Sequence, residues 1–161
     1  MKPGAKVIAI PGDIQRASQA RKATAIALPV PSRSESFGLV ALEAAGITMR
    51  DILTEDALHN AMVTHAAFGG STNLLLHIPA IAHAAELARP TVRDWDRINR
   101  QTPRLVDVLP NGPVGHPTIR VFLAGGVPEV MLHLRDLDLL KLDALTVNGW
   151  PLGEMLALWE R

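Results

Sequence analysis

Gly69-Gly70-Ser71-Thr72-Asn73 sets two glycines against three small polar residues, directly before the apolar Leu74-Leu75-Leu76. A helix starting there would expose unpaired backbone N–H groups carrying partial positive charge, the arrangement that holds a carboxylate or a phosphate. The glycines would let a ligand approach the main chain closely. Ser71 and Thr72 add hydroxyls, and Asn73 adds an amide. These five residues are the candidate binding residues. They equally suit a plain joint between two helices in which Ser71 is only an N-cap. No lysine follows as in a P-loop, and the glycines lack the spread of a dinucleotide fingerprint.

The six histidines offer a second chemistry, metal ligation. His77 and His83, like His59 and His65, stand too far apart for the one-turn spacing of a helical zinc pair. They read as structural or surface residues. His116 sits in a Gly-His-Pro loop without a carboxylate partner nearby in the sequence. A triad of Ser71, His77 and Asp107 lacks the Gly-x-Ser-x-Gly elbow. At Gly125-Gly126 the two-glycine joint recurs, but Glu129 already occupies the electropositive helix end, so a tight joint is the better reading there.

Several helices must position these residues. Thr54 is a good N-cap for Glu55–Phe68, with Glu55 and Asp56 in the first turn. Ala57, Leu58, Ala61, Met62, His65 and Phe68 would form its apolar face. Gly69-Gly70 ends it, and Ser71 is expected to cap a helix reaching about Leu87, bent at Pro79. Thr91 with Asp94 resembles a capping box for a helix from Val92. Pro117 and Pro128 should open two more helices, and a last one should cover residues 151–160. Strands are expected at Arg104–Leu109 and Leu145–Val147, with a turn at Pro110–Pro113. Toward the N-terminus, a strand over 5–10, a helix over 13–28, a loop over 29–36 and a short helix ending at Gly46 are expected. The fold class is α/β, helix-rich, with few short strands.

The 161 residues suffice for one domain with a real core, and 48% hydrophobic with 20% charged residues suits a globular chain. Sixteen basic and sixteen acidic residues give no excess pointing to nucleic acid or an anionic membrane. No run approaches the ~20 apolar residues of a bilayer span, and no signal peptide is visible. A cytoplasmic location is expected. The chain has no cysteine, which excludes disulfides, thiolate catalysis and cysteine-held metal centres within it.

Three long stretches, HNAMVTHAAFGGSTNLLLHIPAIAHAA, DWDRINRQTPRLVDVLPNGPVGHPTIRVFLAGGVPEVMLHL and LTVNGWPLGE, together resemble the dihydroxy-acid and 6-phosphogluconate dehydratase family. Within it they are most similar to the sugar-acid branch that includes D-xylonate dehydratase. The resemblance covers residues 47–161, read as the later part of a dehydratase-like α/β domain. Residues 1–46 match poorly. It implies a hydro-lyase that removes water from a 2,3-dihydroxy acid to give a 2-keto acid, using an iron–sulfur cluster and magnesium in the intact enzyme. The family's cysteine motifs, acidic magnesium ligands and catalytic serine motif are not found here. The chain therefore reads as an internal slice of such an enzyme, inactive alone and binding no cofactor itself. The alternative is a non-catalytic interaction or anion-binding module on the same scaffold.

The resemblance carries over only Gly69–Asn73, as substrate-binding residues for a sugar acid. It assigns no acid, base or metal ligand. A slice should also leave apolar surface uncovered. Leu74, Leu75, Leu76, Ile78, Phe122, Leu123, Val130 and Met131 are the candidates, and self-association is expected.

Overall fold

The computed structural model describes residues 46–110 and 112–160, and their regular structure is seven helices. These are α1 (Met49–Ile52), α2 (Glu55–Phe68), α3 (Leu74–Ala84), α4 (Val92–Gln101), α5 (Ile119–Leu123), α6 (Gly126–Asp136) and α7 (Leu152–Trp159). The elements expected before Gly46 lie outside the described residues, as does Asn111 of the Pro110–Pro113 turn.

Side chains start the helices where the sequence has the chemistry for it. The Thr54 hydroxyl accepts the Ala57 N–H at 3.2 Å. Thr91 and Asp94 form a full capping box, the Asp94 carboxylate accepting both the Thr91 N–H (2.9 Å) and its hydroxyl (2.7 Å). Thr48 and Asp51 make a second box on α1 that the sequence reading missed. Pro128 falls at the third position of α6 rather than the first, because the helix already begins at Gly126. The first turn tolerates it, since its missing N–H would have been unpaired there.

Three helices end alike. The chain turns left-handed at Gly69 (φ 55°), Glu86 (φ 61°) and Asp138 (φ 58°). Gly70, Leu87 and Leu139 then donate back to the carbonyls of His65, Ala82 and Leu134. This closure satisfies carbonyls that a helix end leaves open.

α2 is central, touching α3, α4 and α6, while α6 also carries α5 and α7. Leu58, Met62, Val63 and Ala67 of α2 meet Ile78 and Ala82 of α3, Trp95 and Ile98 of α4, and Val130 and Leu134 of α6 in one core. Leu152 and Leu156 of α7 close it. Covered on several sides, α2 buries more than the single face expected: Val63 and Ala67 are as deep as Leu58 and Met62. Asn60 is buried too, its side-chain amide donating to the Lys141 carbonyl (2.9 Å) and accepting the Lys141 N–H (2.7 Å).

The two strands expected are not formed, and among the described residues there is no sheet. Residues 104–108 form no regular element, and Leu105 and Val106 both donate to the Ala67 carbonyl at the end of α2. That helix end takes the hydrogen bonds a neighbouring strand would have taken, while Val106 fills the core. Leu145 makes a single antiparallel bridge to Pro151, closed by the turn in which Thr146 accepts from Gly149 and donates to Trp150. The helix-rich half of the expectation holds; α/β is not confirmed.

Candidate functional site

The helix break at Gly69-Gly70 is present. Ser71 is not the N-cap that was expected: that position falls on Asn73, which makes no side-chain cap bond, while Ser71 Oγ accepts the Asn73 N–H at 3.3 Å within the turn before the helix. Regular helix starts only at Leu74. Residues 71–73 form a tighter turn, with Leu74, Leu75 and Leu76 donating to the carbonyls of Ser71, Thr72 and Asn73. The α-pattern sets in when His77 also donates to Asn73. Ser71, Thr72 and Asn73 are exposed. Among the described residues, the N–H groups of Ser71 and Thr72 have no protein acceptor. With two hydroxyls and one side-chain amide they form a small outward-facing set of donors, suited to a carboxylate or to sugar hydroxyls.

Each glycine of the turn has its own reason. At Gly69 the left-handed backbone already disfavours a side chain. A Cβ there would also stand 3.0 Å from the Arg104 guanidinium carbon. Arg104 is fixed beside the turn by bonds to the Val106 carbonyl and the Asp107 carboxylate, both 3.1 Å. Gly70 has no positive φ. A Cβ on it would meet the His65 ring, at 2.4 Å from Cδ2. His65 Nε2 lies 3.0 Å from the Ser71 carbonyl oxygen, and Trp95 packs on the ring in a T-shaped contact, centroids 5.3 Å apart at 77°.

Gly70 and Leu74 also border an apolar groove of about 450 Å³ that runs along α2 past Ala57, Ala61 and Phe68 to Val127, Met131 and Leu145. The groove widens the accessible surface on one side of the turn but adds no charged group to it.

The remaining candidates do not assemble. Ser71 bonds to His65 and Asn73, and Asp107 bonds to Arg104, so no hydrogen bond joins Ser71, His77 and Asp107. His59 Nε2 meets the Leu139 carbonyl at 3.1 Å, a structural contact. His77, His83 and His116 are exposed, and His133 lies 3.6 Å from Glu129. Gly125 (φ 111°) lies against Glu129, whose Cβ would be 2.7 Å from a Cβ on the glycine, consistent with a tight joint. Among the described residues no group of three or more His, Asp or Glu side chains could hold a metal ion.

Two neighbours of the turn, His65 and Arg104, escaped the sequence reading as parts of a site. His65 was visible only as an apolar-face position. Its spacing of five residues before Gly70 becomes meaningful once the left-handed turn folds the chain back onto it.

Comparison with known proteins agrees with the motifs. The family described as dihydroxy-acid/6-phosphogluconate dehydratase N-terminal matches residues 17–155. The chain is 65% identical over 129 residues to the D-xylonate dehydratase YagF of Escherichia coli (strain K12), covering 80% of this chain and 20% of that protein. Its similarity to the D-xylonate dehydratase YjhG of the same organism is 62% over 129 residues, with the same coverage. Dihydroxy-acid dehydratase 1 of Nocardia farcinica (strain IFM 10152) is 45% identical over 126 residues, 78% of this chain and 22% of that one. The chain thus spans about a fifth of the length of the curated relatives it matches.

Proposed function

The chain belongs to the dihydroxy-acid/6-phosphogluconate dehydratase family, and from that premise we propose that it is part of a hydro-lyase acting on a 2,3-dihydroxy sugar acid such as D-xylonate. The observation that carries the substrate class is the identity to two D-xylonate dehydratases. In this reading Gly69–Asn73 meets the acid. The N–H groups of Ser71 and Thr72 face its carboxylate, the Ser71 and Thr72 hydroxyls and the Asn73 amide reach its hydroxyls, and Arg104 adds positive charge beside the turn. These groups bind and orient. None is a proton donor or acceptor for the reaction. Residues 47–161 are the later part of the dehydratase-like domain and residues 1–46 its more weakly resembling N-terminal segment, of which 17–46 fall within the family match, in a cytoplasmic protein that binds no nucleic acid.

The iron–sulfur cluster and magnesium implied by the family do not fit the donors present. There is no cysteine in the sequence, and the described residues bring no three metal-ligating side chains together. The 161 residues alone should bind no cluster and form no keto acid. Anaerobic reconstitution with iron and sulfide, followed by metal analysis and a keto-acid assay, checks this; stoichiometric cluster or turnover by the purified chain would refute it. The lack of cysteine also favours a second reading, a non-catalytic interaction or anion-binding module. Titration separates the two. On the first reading D-xylonate binds and Ser71→Ala weakens it by about five-fold, the value of one hydrogen bond of ~1 kcal/mol. A module selecting any small anion would bind acetate or phosphate as well as D-xylonate.

A further inference from the structure

We propose that His65 is a positioning residue: its ring, seated in the notch left by Gly70, sets the direction in which the turn presents the Thr72 N–H. The inference rests on the reading of Gly69–Asn73 as the sugar-acid contact.

The Ser71 carbonyl and the Thr72 N–H belong to one peptide group. That group is planar and trans, so its C=O and N–H point in opposite directions. Whatever holds the oxygen therefore aims the N–H. Two donors hold it: the Leu74 N–H at 3.1 Å and His65 Nε2 at 3.0 Å. The first is local and would accompany any helix start here. The second comes from the last turn of α2, across the glycines, and draws the carbonyl toward the protein. The Thr72 N–H is thereby left facing outward, without an acceptor among the described residues.

The chemistry of the ring is fixed by the same contact. A carbonyl only accepts, so Nε2 must carry the proton. His65 Nδ1 is buried and has no hydrogen-bond partner among the described residues. As a bare lone pair it is more easily accommodated there than an unpaired N–H would be. The ring is also held from behind. Trp95, itself buried, packs against it in a T-shaped contact from α4. In front, Gly70 supplies the room, since a methyl group there would stand 2.4 Å from Cδ2 and 2.9 Å from Nε2. No positive φ demands glycine at this position. Only the histidine does. Gly70 and His65 are thus one device, distinct from Gly69, whose reason is the backbone.

The test uses the 161-residue chain and five variants, read by the Thr72 amide resonance, its hydrogen exchange and D-xylonate titration. His65→Phe keeps the ring and its contact with Trp95 but donates nothing. It should shift the Thr72 resonance and weaken D-xylonate by about five-fold, a loss of roughly one hydrogen bond's worth of orientation, while α2 amides exchange as in the wild type. His65→Gln, whose amide nitrogen reaches about as far as Nε2, should restore both readouts most of the way. Gly70→Ala should reproduce the His65→Phe effect. In a His65→Ala background the same Gly70→Ala change should add nothing, because the ring it would strike is gone.

An unmoved Thr72 resonance in both His65→Phe and Gly70→Ala would overturn the proposal. So would additive effects in the His65→Ala/Gly70→Ala pair. Should His65→Phe fail to fold, Gly70→Ala and His65→Gln decide alone. Should the wild type bind no D-xylonate, the functional reading of the turn fails, and the resonance and exchange data still judge the positioning.

Discussion

Asp94 accepts hydrogen bonds from the Thr91 hydroxyl and the Thr91 N–H at the head of α4, with Arg97 alongside. Its carboxyl is held down at about 2, chiefly by the Thr91 hydroxyl, then by the Thr91 N–H and Arg97. A carboxyl lowered by folding stabilises the fold above its unfolded value near 3.8, and that contribution fades as the pH falls toward 2. We expect the Asp94 side chain to titrate near 2 by NMR and Thr91→Val to move it back up toward 3.8. A wild-type titration at 3.8 would show the box to be open in solution. Asn60 makes a different case, because it is buried. Removing its side chain leaves both the N–H and the carbonyl of Lys141 without their partner. Asn60→Ala should cost about 2–3 kcal/mol, seen as a lower urea midpoint with the slope unchanged.

The helices whose ends carry side-chain chemistry were legible. Thr54, Glu55, Asp56 and the paired glycines fixed α2 at both ends, and Thr91 with Asp94 fixed the start of α4. The stretch at 104–109 misled because alternation of Arg104, Val106 and Val108 marks a half-buried segment but not its partner. That partner, the end of α2, lies more than thirty residues away. The same limit applies to the site. Its glycine break shows locally, but Arg104 comes from after α4, and His65 reaches the turn only through the left-handed closure at Gly69. Two substitutions test these elements. Gly69→Ala should cost about 1–2 kcal/mol, more than a helix-end glycine exposed to open space, because Arg104 must also move. Leu134→Ala, at a fully buried position on α6, should cost about 2–5 kcal/mol. Equal and small effects of both in denaturant unfolding would contradict this packing.

Across the whole molecule the apolar surface is divided otherwise than expected. Ile78 and Val130 are in the core at 6% and 7% exposure, while Leu76, Phe122 and Leu123 stand out at 74%, 73% and 75%. The reason is that α3 and α6 each turn one side to α2, whereas the short α5 lies outside α6 and covers little with its own outer side. We expect the isolated chain to self-associate through that surface, and Phe122→Glu with Leu123→Lys to reduce it. Sedimentation at rising concentration measures this, and a wild-type monomer throughout would remove the expectation. Asn60 and Lys141, which bond to each other, are 81 residues apart in sequence. At roughly 5–20 residues per second of synthesis, about 4–16 s separate the emergence of α2 from that of the segment that clamps it. For most of that interval α2 faces the cell without α6, and for all of it without α7, and ribosome-bound chains halted before Gly126 should be the ones that chaperones hold.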